Sequence, residues 1–212
     1  MDRPDVTMMF VVHNALRRDL ARMQAAAAHA GDPAARTALR AGWATFSRYL
    51  TVHHTAEDQM LWPPMQAQLG GRPDETDLLV EMADEHSRLD PVMREIDDDL
   101  AQGPPSRLVA LFGELAAVLT GHLEHEEAAA LPLVQEILTM REWKAFGDDQ
   151  RRRIGLNGAG WFFPWLLDAT PPATRDKVLG IVPPPLRLIY RLIWEPRYRR
   201  QSPWPREPSA HR

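Results

Sequence analysis

The chain of 212 residues contains no cysteine. Disulfides, thiolate zinc sites, cysteine-ligated iron–sulfur clusters and cysteine nucleophiles are excluded together, so any metal must be held by His, Asp, Glu or Tyr. Lysine is nearly missing: Lys144 and Lys177 are the only two among 25 basic residues. Beside so much alanine, this reads as genomic GC bias rather than chemistry. No uncharged apolar run of about 18 residues occurs, so no membrane-spanning helix is expected. Asp2 and Asp5 flank a start with no apolar stretch before a small-residue cleavage site. No signal peptide is expected, and the expected location is cytoplasmic. With 44% hydrophobic and 25% charged residues the balance is that of a globular protein, which excludes global disorder.

A net charge of −4 hides an asymmetry. Residues 1–150 carry 13 basic and 25 acidic side chains; residues 151–212 carry 12 basic and 4 acidic. The first part is therefore net −12 and the second net +8. Ten of the 19 prolines lie after position 150, and five of the seven tryptophans lie from Trp143 onward. A boundary within 140–155 is expected, dividing an acidic helical body (1–145) from a basic, Pro/Trp/Arg-rich extension (146–212).

The body carries helical periodicity throughout. Apolar residues and histidines recur at Val6, Phe10, His13, Leu16, Leu20 and Met23, then at Leu39, Trp43, Phe46, Leu50, His53, Glu57 and Leu61. Two further stripes run Leu79, Met82, His86, Leu89, Met93, Ile96, Leu100 and Leu108, Leu111, Leu115, Leu119, His122, Glu126, Leu133. Gly31-Asp32-Pro33, Gly70-Gly71-Arg72-Pro73 and Gly103-Pro104-Pro105 separate them, with Asp32 placed to cap the second helix and Pro33 to open it. Pro91 is expected to kink the third helix. The expected fold is all-α: an up-down-up-down four-helix bundle with a C-terminal Pro/Trp/Arg-rich extension.

Each stripe contains one histidine: His13, His53, His86 and His122. His13 stands 18 residues before Gly31, and His53 stands 21 after Asp32. His86 stands 17 before Gly103, and His122 stands 18 after Pro104. At 1.5 Å per residue these arms differ by only about 1.5–4.5 Å, so the four imidazoles fall at one level. The runs His53-x3-Glu57-Asp58 and His122-x3-Glu126-Glu127 share one pattern, and each is followed by a proline, Pro63 or Pro132, ten residues after its histidine. Positions i and i+4 face the same way, so each run turns an imidazole and a carboxylate inward. Buried carboxylates need cations, and neither stripe supplies an Arg or Lys. Two similar hairpins, each with His and His-x3-Glu, suit a pair of metals that the carboxylates are free to bridge. Nitrogen and oxygen donors suit iron, manganese or zinc. The Glu-x-x-His runs of ferritin-like bundles do not fit these positions.

These pieces resemble the hemerythrin-like (HHE cation-binding) family of four-helix di-iron proteins. The matching segments are His13 to Leu20, His53-x3-Glu57-Asp58 with Leu61-Trp62-Pro63, Glu85-His86, and His122-x3-Glu126-Glu127 with Leu131-Pro132. The resemblance implies two iron ions in a bridged centre, with His13, His53, His86 and His122 as ligands and Glu57 and Glu126 as bridges. There is a departure. Oxygen-carrying hemerythrins have another His one turn before the third-helix ligand, where this chain has Met82, and place Asp five residues after the last His. Six residues leave coordination positions unfilled. His54 is a possible additional ligand; Tyr49, one turn before His53, and Asp90, four after His86, are weaker ones. His125 and Glu127 are expected to orient ligands, and His29 and His211 to be solvated.

The function implied is a non-haem di-iron protein that binds or reacts with dioxygen, hydrogen peroxide or nitric oxide, behind an apolar wall of Phe10, Phe46, Met82 and Leu119. The missing nitrogen donor at Met82 favours redox turnover or sensing over oxygen transport, with peroxide decomposition as the leading enzymatic activity. The alternative is a non-catalytic regulator responsive to iron or oxygen and acting through the basic tail. The tail holds Trp161-Phe162-Phe163-Pro164-Trp165 and an amphipathic stretch, Leu186 to Trp194. It is expected to pack on the acidic body; contact with a membrane surface or protein partner is the competing reading. Nucleic-acid binding is not expected, because the Arg residues form no recognisable module.

Overall fold

The computed structural model describes residues 3–204, and the expectation for His211 lies outside them. Among the described residues the chain is helical with no strand. The first hairpin is α1 (Thr7–Ala27) followed by α2 (Pro33–Ala56), a π-turn π1 (Glu57–Leu61) and α3 (Trp62–Gln68). The second is α4 (Pro73–Gln102) followed by α5 (Pro105–His125), π2 (Glu126–Ala130) and α6 (Leu131–Ile137). Asp32 caps α2 as expected, its carboxylate accepting from the Ala35 N–H at 2.9 Å, with Pro33 in the first turn. Pro91 lies within α4 without ending it.

Helix α1 packs along both α2 and α5, while α4 packs along α5 and, over a shorter length, α2. Two apolar clusters fill the space between. One contains Leu16, Leu20, Phe46, Leu50, Ile96, Leu115 and Leu119; the other contains Met9, Leu61, Met65, Leu79, Met82, Leu131 and Val134. The histidines of the four stripes lie between the residues of these clusters along each helix. Arg36 ties the loops at one end, donating to the carbonyls of Ala30 and Gly103. The acidic run Asp97-Asp98-Asp99 finds a structural role there: Asp97 accepts from Trp43 Nε1, and Asp99 pairs with Arg107.

Two expectations need correcting. Phe10 is not part of an inner wall: it is 38% exposed. The buried arc of α1 runs instead through Met9, Val12, His13 and Leu16 and extends to Val11, Ala15 and Asp19. A further helix covers that second side, which turns the buried arc away from Phe10. Second, one stretch, Pro105–Ile137, does meet the length and composition of a membrane span. Its apolar side is the protein's own core, and it carries His122 and Glu126 into the interior.

The covering helix is α7 (Met140–Leu166), started by a capping box between Thr139 and Glu142. It is broken at Gly155, whose φ of +70° is a left-handed conformation suited to glycine. Helices α8 (Pro172–Ile181), α9 (Pro184–Ile189), a third π-turn π3 (Tyr190–Trp194) and α10 (Glu195–Gln201) follow. Trp165, Leu166, Val178, Tyr190 and Tyr198 are buried in the same cluster as Leu16 and Leu50. The buried Asp19 of α1 accepts from Trp165 Nε1 at 2.7 Å and is balanced by Arg18 and Arg22. Trp204 lies on Gly42 of α2, where any side chain would collide with the indole.

Candidate metal centre

The local backbone explains why Glu57 and Glu126 turn inward. Each is the first residue of a π-turn, and each π-turn ends one residue before an X-Pro pair: Trp62-Pro63 or Leu131-Pro132. Proline has no N–H, and its ring crowds the carbonyl four residues back, so the turn widens. The Trp62 N–H then reaches the Glu57 carbonyl, and the Leu131 N–H reaches that of Glu126. The two hairpins thus share one backbone device at equivalent positions.

Seven side chains meet at this level. Helix α1 supplies His13, α2 supplies His53 and His54, π1 supplies Glu57, α4 supplies His86, α5 supplies His122 and π2 supplies Glu126. All seven are buried. They form two donor groups, each with ligand atoms within 4.8 Å of one another: His13, His53, Glu57 and Glu126 in one, and His54, His86 and His122 in the other. In the first, His13 Nε2 lies 3.0 Å from His53 Nε2 and 3.1 Å from Glu126 Oε2, and His53 Nε2 lies 3.1 Å from Glu57 Oε1. In the second, His86 Nε2 lies 3.1 Å from His122 Nε2, and the His54 ring stacks on His86 at 3.9 Å. Glu57 joins the groups, because its other oxygen lies 3.5 Å from His86 Nε2. Two donors about 2.1 Å from one ion, at right angles, stand about 3.0 Å apart, so these spacings are compatible with ligands round a metal.

Carboxylates outside the cluster fix the rings. His13 Nδ1–H donates to Glu127 at 2.8 Å, His86 Nδ1–H to Asp58 at 2.8 Å, and His122 Nδ1–H to Glu85 at 2.9 Å. With the proton held at Nδ1, each Nε2 lone pair points inward. Arg17 steadies Glu127 at 2.7 Å, and His125 donates to Glu85 at 3.0 Å. His53 Nδ1 has no hydrogen-bond partner among the described residues.

The electrostatics are those of a site that wants cations. Burial first, then Glu126 and Asp58, push the Glu57 carboxyl well above its usual range. Burial and the neighbouring imidazoles pull His53 and His54 well below theirs. Burial also pulls down His13, but Glu126 and Glu127 outweigh it and leave that imidazole raised. Burial raises Glu127, yet the bonds from His13 and Arg17 prevail and hold it at about 2. Among the described residues, neither oxygen of Glu57 nor of Glu126 has a hydrogen-bond donor, and His54 Nε2 is also unpartnered. Four buried carboxylate oxygens without a donor are costly, and metal ions bound among the imidazoles would remove that cost.

His54 thus stands among the side chains that could hold a metal. Met82, fully buried, belongs to the apolar cluster alongside Met9, its equivalent four residues before His13. Tyr49 is buried, its ring against Trp165 and Phe162 and its hydroxyl unpartnered, but it is in neither donor group. Asp90 and His29 are exposed. Sequence reasoning did not give Asp58 and Glu85 their orienting roles. The signal for Asp58 was present, since an acid follows the inward Glu in both hairpins. A cavity of about 180 Å³ between α2 and α4 reaches His54 and His86 from a rim of Thr51, Thr55, Asp58, Ser87 and Asp90. These two imidazoles are 8% and 7% exposed, against 2% or less for the other five groups.

A family model described as the Hemerythrin HHE cation binding domain matches residues 5–134, a range that includes all seven residues. No curated protein and no solved structure matches the chain.

Proposed function

The chain belongs to the hemerythrin HHE cation-binding family, and from that premise we propose that it is a non-haem di-iron protein whose two hairpins form an up-down-up-down four-helix bundle. In this reading His13 and His53 would hold one iron and His54, His86 and His122 the other, with Glu57 and Glu126 as the carboxylates that would serve both. The family and the buried His/Glu cluster support cation binding, and a set of nitrogen and oxygen donors without thiolate is compatible with iron. When bound, such a pair supplies Lewis acidity and one-electron redox steps toward dioxygen, hydrogen peroxide or nitric oxide.

The chain's own residues divide the remaining work. Glu127, Asp58 and Glu85 hold the protons on Nδ1 of their imidazoles, so that Nε2 is available without rearrangement. Met9 and Met82 seal one side of the cluster with apolar surface. On the other side, the hydroxyls of Thr51, Thr55 and Ser87 and the carboxylates of Asp58 and Asp90, together with Leu50, Leu89 and Met93, line a cavity open to solvent.

That polar mouth carries the preference for redox turnover. Reversible oxygen carriage needs a dry site, whereas a mouth of hydroxyls and carboxylates admits water, peroxide and protons. The reason differs from the one read in the sequence, because His54 supports the nitrogen donation that Met82 lacks. Hydrogen peroxide added to the iron-loaded protein should be consumed steadily with release of dioxygen, followed with an oxygen electrode. Repeated uptake and release of dioxygen with no peroxide consumption would overturn this reading. An iron-dependent change in protease access to the tail, without turnover, would favour a regulator instead.

A further inference from the structure

The extension displays an apolar surface that no other described residue covers. Among the large exposed hydrophobics, Phe10, Val80, Val109, Met140 and Leu156 stand singly along the chain. Ile181, Leu188, Leu192 and Ile193 lie within thirteen residues and are 57–67% exposed. They are held there. On the inner side of the same segment Tyr190 and Tyr198 are buried in the core, and Trp194 stacks on Phe163. The π-turn Tyr190–Trp194, again closed by an X-Pro pair (Glu195-Pro196), widens the helix. Arg191, Leu192 and Ile193 consequently all face outward, and Leu188 joins Leu192 one turn away. Arg187 fastens the start of the segment by donating to the Val182 and Gly180 carbonyls.

Basic groups border this surface. Arg191, Arg199 and Arg200 line a cavity of about 320 Å³ with Glu195 and Pro196. Arg199 pairs with Glu195 at 2.6 Å, whereas Arg191 and Arg200 form no ion pair among the described residues. Aliphatic side chains pointing outward beside guanidiniums complement an anionic bilayer, which accepts the former at the acyl boundary and the latter at phosphates. A second copy meeting the same surface would bring Arg191 and Arg200 toward their equivalents, like charge against like. The −12 body, repelled by the same bilayer, would orient the molecule tail first.

We propose that the face formed by Ile181, Leu188, Leu192 and Ile193 with Arg191 and Arg200 docks this protein on anionic lipid surfaces. Docking is reversible and interfacial, with no spanning segment. It is independent of what the metal centre does.

Co-sedimentation tests it on the full chain, with vesicles of phosphatidylcholine alone and of phosphatidylcholine mixed with phosphatidylglycerol. The wild type should sediment with the mixed vesicles, remain in solution with phosphatidylcholine, and be released by salt. Leu188→Ser with Leu192→Ser, and separately Arg191→Glu with Arg200→Glu, should each lower the bound fraction by about tenfold or more. Melting temperature and metal content should stay at wild-type values, since all four side chains are exposed. Wild type that ignores the mixed vesicles overturns the proposal, as do variants that bind as well as wild type. A lipid-free dimer dispersed by the Leu188/Leu192 pair, without vesicle binding by the wild type, assigns the face to self-association and also overturns it.

Discussion

The first hairpin carries His13, His53, His54 and Glu57; the second carries His86, His122 and Glu126 at matching places. The match extends well beyond the metal-facing groups. Met9 corresponds to Met82, Asp58 to Glu127, Pro63 to Pro132, and each outer carboxylate crosses to the other hairpin: Asp58 to His86 and Glu127 to His13. Against this pseudo-twofold background three differences stand out. His54 is matched by Leu123, so one hairpin offers an imidazole that the other lacks. Glu85 is matched by Val12, which is why His122 Nδ1 is held and His53 Nδ1 is not. Arg17 is matched by Asp90: Arg17 binds Glu127 and covers its side of the centre, while Asp90 stands at the rim of the cavity that reaches His54 and His86. The difference teaches that two similar hairpins can present one donor group closed and the other open, with side-chain exchanges at a few places.

The largest effect should come from removing what the halves share. Glu57→Ala or Glu126→Ala should abolish binding of both metals, because Glu57 stands between His53 and His86 and Glu126 stands against His13 in the same donor group. Glu127→Ala should keep them. Elemental analysis of the purified variants reads this directly. Full iron in Glu126→Ala with loss in Glu127→Ala would mean that the inward carboxylate has been misassigned.

Next comes His54→Leu, which copies Leu123 into the first hairpin. Metal content should fall to about half, since only the group of His86 and His122 loses a nitrogen. Unchanged content would remove His54 from the ligand set. Glu85→Ala makes the second hairpin resemble the first at Val12. It should weaken metal affinity by ~10–100-fold, measured by competition with a chelator, because His122 and His125 both lose their partner.

How much of this was legible in the sequence follows from the geometry. The four-histidine level was readable because a stripe on each helix and turns with Gly and Pro fix both face and height. Glu57 and Glu126 were readable because i and i+4 share a face. His54 was readable only as a possible additional ligand, because it points about 100° away from His53. Whether that direction meets metal depends on α2 lying between α1 and α4, so that His53 turns to His13 and His54 to His86. Phe10 failed for the related reason that α7 covers the far side of α1, a contact no local period reveals. The π-turns were visible only as prolines; the third, at Tyr190–Trp194, bears the same sign without a metal-facing carboxylate.

The smallest effect tests the open side. Asp90→Arg copies Arg17 into the second hairpin and should slow azide binding to the iron-loaded protein by about tenfold in stopped-flow absorbance. Iron content and melting temperature should be unchanged, since Asp90 is exposed. Equal rates in wild type and variant would place the entrance elsewhere.

The most direct test of the central claim, that the two hairpins together hold a pair of irons, is metal analysis combined with Mössbauer spectroscopy on wild-type protein purified in air from iron-sufficient medium. The account predicts about two irons per chain and an antiferromagnetically coupled ferric pair with a diamagnetic ground state. A single magnetically isolated iron, or zinc alone, would contradict it.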